Sequence, residues 1–174
     1  MDFFDVIERR HSCRAFAARD VEQAKLNRIL AALRLAPSAG DLQAFTIVLV
    51  REREMRSRLA EAAHGQDFIA TAPIVLAFLA DEHRSEAKYH SRGSALFCIQ
   101  DATIAAAYAQ LAATAQELAS CWVGDFDEDR VAAILGVPSR LRPVVLIPIG
   151  YAVETPKQRP SRRPLSELVR HEQL

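Results

Sequence analysis

Apolar positions along the chain fall into helical and strand-like runs, and Pro and Gly punctuate them. Residues 3–10 carry Phe3, Phe4, Val6 and Ile7, with Asp2 ahead of them as a helix cap. A second helix is predicted over 20–35, capped by Asp20, because Leu26, Ile29, Leu30 and Leu33 share one helical face. The run 37–40 (PSAG) breaks it. Residues 45–50 (FTIVLV) read as a buried strand. Residues 52–63 read as an amphipathic helix with Met55, Leu59 and Ala62 inward. After Pro73, IVLAFLA is a second strand, 127–135 is a short helix, and 144–149 (VVLIPI) is a third strand. Residues 81–93 are polar, and His83, Tyr89 and His90 read there as exposed loop residues.

Residues 95–119 form the longest run, rich in Ala, Leu and Ile almost all the way round. As one helix it would be about 37 Å long. A helix apolar on every side must be covered on every side. A chain of 174 residues has little surface to spare for that cover, so a second subunit is expected. Gln100, Asp101, Gln110, Gln116 and Glu117 make the run too polar for a simple membrane span. Helices and strands alternate without a clear series of βαβ units. The class is α+β or a mixed three-layer arrangement.

Composition narrows the picture. The chain is 50% hydrophobic and its length fits one domain over 1–174. Lys and Arg number 22 and Asp and Glu number 22, which disfavours a surface built for nucleic acid or anionic lipid. Cys13, Cys98 and Cys121 are too far apart for a disulfide framework or a C-x-x-C metal pair. A reducing cytoplasm is the expected setting. The start, MDFFDVIERRHS, lacks the pattern of a signal peptide. The histidines have no metal-ligand spacing, and G-x-S-x-G, P-loop and G-x-G-x-x-G motifs are absent.

Three segments carry candidate chemistry. Arg9-Arg10-His11-Ser12-Cys13-Arg14 holds three arginines, a hydroxyl and no acid. Its arginine forks suit a phosphate, and they equally complement a helix C-terminus. Cys13 lies beside arginines that would lower a thiol, yet no His/Asn partner pattern makes it a nucleophile, so it reads as structural. Ala36-Pro-Ser-Ala-Gly-Asp-Leu-Gln43 is a small-residue connection that lets a flat ligand approach the backbone, or simply a helix stop. The tail 156–165 carries Lys157, Arg159, Arg162 and Arg163 without an acid, as an anion contact or a solvated basic tail.

Taken in order, these segments resemble the nitroreductase family of FMN-dependent oxidoreductases. Residues 9–16 (RRHSCRAF) resemble its opening R-R-x-S-x-R-x-F, and 36–45 (APSAGDLQAF) its A-P-S-x-x-N-x-Q-P-W. Residues 66–73 (QDFIATAP) resemble its Q-x-x-x-x-x-A-P. Residues 121–127 (CWVGDFD) and 134–138 (ILGVP) resemble C-W-I-G-x-F-D and I-L-G-L-P. Residues 142–151 and 162–165 resemble the closing strand and tail. The likeness covers nearly the whole chain.

The resemblance implies an α+β fold with a central, mostly antiparallel sheet flanked by helices. It also implies an intertwined homodimer, in which a C-terminal extension, about 152–174, embraces the partner. FMN would lie at the subunit interface, reduced by NADH or NADPH and reoxidised in ping-pong fashion by a small acceptor such as a nitroaromatic or quinone. A flavin-binding protein with a regulatory or storage role, and specialised flavin chemistry such as reductive dehalogenation, are the alternatives. The residues carried over for the phosphate and ribityl chain are Arg10, His11, Ser12 and Arg14, with Arg162 or Arg163 from the tail. Those carried over for the ring are Pro37, Ser38, Ala39 and Asp41 of the other subunit, with Gln43 in support, and Gln66, Trp122, Val123 and Gly124. The flavin would carry the chemistry, so no catalytic side chain and no metal is expected. The chain departs from the family at Asp41 (Asn), Ala44-Phe45 (Pro-Trp) and 117–120, where ELAS replaces a G-L-G stretch. The short 81–93 segment leaves little room for a lid over the ring.

Overall fold

The computed structural model describes residues 1–154 and 161–173; Lys157 and Arg159 of the basic tail lie outside the described residues. Helix α1 (Phe3–Arg9) starts where the capping pattern predicts. The Asp2 side chain accepts from the Asp5 N–H, and Asp5 returns the bond to the Asp2 N–H. This reciprocal pair satisfies two N–H groups that a helix start leaves free. Helix α2 (Gln23–Leu33) starts later than Asp20 predicts. Glu22 stands at its cap position but makes no cap bond, because its carboxylate accepts from the Tyr151 hydroxyl at 2.6 Å and from Arg19 at 2.8 Å.

Strand β1 (Phe45–Val50) is followed by α3 (Arg53–Ala62), α4 (Phe68–Thr71) and strand β2 (Ile74–Asp81). Next come α5 (Glu82–Arg92), a π-helical segment Gly93–Phe97, α6 (Cys98–Ala115) and the short strand β3 (Ala119–Ser120). Helix α7 (Glu128–Leu135), strand β4 (Leu141–Gly150) and helix α8 (Leu165–Leu168) complete the described chain. The four strands pair antiparallel in the order β1-β2-β4-β3.

At β2 and most of β4 the sheet is buried on both faces, which explains why β2 reads as a continuous apolar run; strand β1, expected to be buried, lies at the sheet edge with Thr46 and Leu49 exposed and only Val50 buried. Ile74, Leu76, Phe78 and Ala80 pack with α2 and α6, while Val75 and Ala77 pack with residues of α3, α4 and α7. Helix–sheet–helix layering on an antiparallel sheet is the α+β architecture expected.

Two further expectations are corrected. The polar segment 81–93 is not a loop: it is α5, started by the Asp81 side chain accepting from the Arg84 N–H at 2.9 Å. Its polarity reflects an outward face, and its backbone leaves the helical region at His90 (φ 53°). The long apolar helix also ends earlier than 119, because β3 takes Ala119. The run Glu82–Ala115, kinked at His90, is long and apolar enough to cross a membrane by length and composition alone. Its packing is that of a core helix: Ala102, Ala105, Ala106, Ala109 and Ala113 are buried with the strands and α2. Its polar members Asp101 and Gln110 are buried with hydrogen-bond partners inside the protein.

Candidate active site

Past α1 the chain runs alongside β3. Ser12 bridges Ser120 in parallel, and the Cys13 N–H donates to the Ser120 carbonyl at 2.9 Å. Strand β3 continues into Cys121, Trp122 and Val123, and Val123 pairs with Leu146 of β4. Gln110 on α6 supports this corner by donating to the Ser120 hydroxyl at 3.1 Å. The basic segment and the 121–124 turn are therefore brought side by side.

Cys121 sits at the junction. Burial raises its thiol, while the neighbouring Arg14 and Arg10 charges and the Ser12 hydroxyl pull the other way. Three of the phosphate candidates thus gather around one buried side chain. Arg14 also lies 6.0 Å from the Phe68 ring centroid. The arginines do not activate Cys13, whose thiol burial raises. A structural role for it stands.

His11 completes the segment. Its Nδ1 is 3.0 Å from the Arg9 carbonyl oxygen, so Nδ1 carries the proton. Its Nε2 is buried and has no partner among the described residues. An unpaired buried polar atom costs free energy and calls for a partner. Two guanidinium groups, a hydroxyl and backbone N–H groups form a donor set suited to a phosphomonoester, with the unpartnered Nε2 beside it as an acceptor in the neutral ring.

The 37–41 connection is fixed from beneath by Asp101 near the start of α6. That side chain is 2% exposed. It accepts from the Ala39 N–H at 2.8 Å and from the Ala44 N–H at 3.2 Å. Ser38 adds a bond from the Gln43 N–H at 2.9 Å, and Gln43 donates to the Arg34 carbonyl at 2.8 Å. The turn needs left-handed backbone at Gly40 (φ 54°), Asp41 (φ 57°) and Gln43 (φ 47°). Asn and Asp tolerate that region better than most side chains. From above, α5 clamps the turn. Arg84 donates to the Leu42 carbonyl, Lys88 reaches the Gly40 carbonyl, and a Cβ at Gly40 would meet Lys88 Nζ and the Tyr89 hydroxyl. A cavity of about 460 Å³ opens beside Pro37, Ser38 and Ala39, floored by Phe97, Gln100 and Ile104.

Within one chain these two clusters are not adjacent. Phe45, next to the connection, pairs with Ala80 at one end of β2. Ser120 pairs with Ile149, which pairs with Ile74 at the other end. Six residues of strand put the two levels about 20 Å apart. Trp122 packs on the α6 side of the sheet, Val123 is buried and Gly124 is exposed. Gln66 points its amide nitrogen at the Ala63 and Asp125 carbonyls, at 3.0 and 3.1 Å, and so ties the end of α3 to the 124–127 turn. In the tail, Arg163 is taken by Glu167 at 3.1 Å, whereas Arg162 is exposed with no hydrogen bond or ion pair among the described residues.

Sequence reasoning missed Asp101, Arg84 and Lys88. The signal for Asp101 was a lone acid in an otherwise apolar helix, because such a group is buried only with partners. Nothing local marks Arg84 and Lys88, which act through tertiary contact with the loop.

The fold defines the class first. The chain is similar in fold to NADPH:FMN oxidoreductase from Vibrio harveyi, solved in complex with NAD+, with a TM-score of 0.90 and 25% identity over 99% of this chain and 77% of that one. Sequence relatives agree. The putative NADH dehydrogenase/NAD(P)H nitroreductase of Methanothermobacter thermautotrophicus is 30% identical over 163 residues, 91% of this chain and 82% of its own. The NADH dehydrogenase of Thermus thermophilus is 33% identical over 189 aligned residues, 92% and 91% of the two chains. The nitroreductase family model matches residues 7–66 and 64–151. The chain belongs to the nitroreductase family.

Proposed function

We propose that the chain is an FMN-dependent NAD(P)H oxidoreductase that works as a homodimer on small acceptors such as nitroaromatics and quinones, by a ping-pong route. FMN, when bound, would supply the redox chemistry, a two-electron transfer from NAD(P)H to the acceptor. The protein binds, orients and shields. Arg10, Ser12 and Arg14 hold the phosphate, joined by Arg162 from the tail, since Arg163 is engaged by Glu167. Trp122, Val123 and Gly124 lie beside that site and border the ring. Pro37, Ser38, Ala39 and Asp41 approach the ring from the partner.

The observation that carries this reading is the gathering of Arg10, Ser12 and Arg14 on the turn after β3, next to the unpaired His11 nitrogen. The separation of the 37–41 turn from that cluster supports a shared site. A site drawing on both clusters is best built from two chains. Uncovered apolar groups support the same assembly. Phe3, Phe4 and Ile7 on α1 are 63%, 74% and 45% exposed, and Leu165, Leu168 and Val169 of the tail are exposed as well. Contiguous apolar patches of this kind mark protein contacts.

The test is steady-state oxidation of NADH and NADPH by the FMN-loaded protein with a quinone or a nitroaromatic acceptor. The reading expects turnover with parallel double-reciprocal lines. Failure of both nicotinamides to reduce the bound flavin would replace it with a flavin-carrier role.

A further inference from the structure

We infer that His11 makes binding of the FMN phosphate a proton-uptake event, one proton per flavin; this rests on residues 10–14 being the phosphate site. The Arg9 carbonyl only accepts, so the Nδ1 that faces it at 3.0 Å is protonated whatever the charge of the ring. In the neutral ring, Nε2 is then a bare lone pair. It is buried and unpartnered among the described residues. A phosphomonoester dianion also presents lone pairs alone. Two acceptors repel, so their contact needs one proton between them, taken from solvent and shared between ring and phosphate. No covalent bond is made and no electron moves. The loaded protein therefore holds one proton more than its separated parts.

The surroundings tie that proton to the ligand. Arg9, Arg10 and Arg14 on the same segment carry fixed positive charge. Glu8, also on α1, is exposed. Across the segment, burial raises Cys13 and Cys121, which leaves both thiols neutral. Near the α4 side, Asp67 is exposed, and in the turn after β3 Asp125 pairs with His64 at 3.4 Å. Among the described residues no carboxylate pairs with His11.

The experiment is calorimetric titration of FMN into the full-length apoprotein at pH 8, about two units above the second ionisation of a phosphomonoester. Two buffers with unlike ionisation enthalpies give the proton count. The wild type is expected to take up about one proton per FMN, and its Kd to weaken about tenfold per pH unit from 8 to 9. His11→Gln places an amide donor near the Nε2 position and is expected to bind FMN with no uptake and a flat profile. Riboflavin, which lacks the phosphate, is expected to bind without uptake. Equal proton counts for wild type and His11→Gln, or equal uptake with riboflavin, overturn the inference while leaving the flavin site intact. If His11→Gln does not fold, the wild-type profile decides, and a Kd independent of pH from 8 to 9 overturns it. If neither flavin binds, or riboflavin binds as tightly as FMN, the phosphate site falls and the inference with it.

Discussion

Asp101 is the residue on which the 37–41 turn depends, and Asp101→Asn isolates its contribution. The substitution keeps shape and volume. One oxygen still accepts from Ala39 or Ala44, but an amide nitrogen replaces the other acceptor and faces an N–H. One hydrogen bond to a charged acceptor is lost, and a buried donor is left unpaired. Such a loss costs about 1.5–3 kcal/mol. For a chain of 174 residues that lowers Tm by roughly 3–12 °C, at 2–4 °C per kcal/mol. Urea unfolding followed by near-UV circular dichroism reads the change. Protein concentration is held fixed, because an oligomer's stability depends on it. Hydrogen exchange localises it, with the amides of Ala39 and Ala44 expected to lose protection while those of β2 keep theirs. An unchanged urea midpoint with unchanged exchange at both amides would refute the assignment of Asp101 as the anchor of the turn.

Other substitutions probe other parts. Asp41→Asn keeps a side chain suited to φ 57° and removes a carboxylate from the proposed ring site, so the midpoint potential of bound FMN should rise; a redox titration showing no change or a fall counts against that placement. Arg14→Ala and Arg162→Ala should each weaken FMN retention on dilution, read by released flavin fluorescence, and full occupancy in both variants would remove the phosphate assignment. Glu117 ends α6 at φ 61°, where a glycine is favoured, so Glu117→Gly should stabilise the fold by up to about 1 kcal/mol in urea unfolding. The Tyr151 hydroxyl, with Arg19, holds Glu22 down from 4.5 to about 2. The charged form is thus favoured in the fold, an effect present above 4.5 and lost as pH falls toward 2. Tyr151→Phe should move the Glu22 carboxyl signal back toward 4.5 in an NMR titration, and an unmoved signal would exclude the hydroxyl as the cause.

Much of the fold was legible in the chain. IVLAFLA is apolar without interruption because β2 is covered on both faces, whereas FTIVLV, read as buried, forms the edge strand and leaves Thr46 and Leu49 exposed. The start of α1 was legible because a capping box is local. Errors arose where tertiary contacts decide. Asp20 looked like a cap, but Glu22 occupies that position and is drawn to Tyr151 from the far end of the chain. Residues 82–92 looked irregular because an outward helix carries few apolar positions; its task is to press Arg84 and Lys88 onto the turn. At the candidate site the residue types were legible, since arginines and a serine without acids suit an anion. Their meeting with Cys121 through a parallel bridge between Ser12 and Ser120 was not, because nothing in either segment encodes the other.

The central claim is one FMN per chain, held between residues 10–14 of one subunit and 37–41 of another. Size-exclusion chromatography with in-line light scattering and 450 nm absorbance tests it in a single measurement. The predicted result is a yellow peak at twice the 19.3 kDa chain mass, carrying one flavin per chain. A flavin-loaded peak at the mass of a single chain, or a dimer that remains colourless after incubation with FMN, would contradict it.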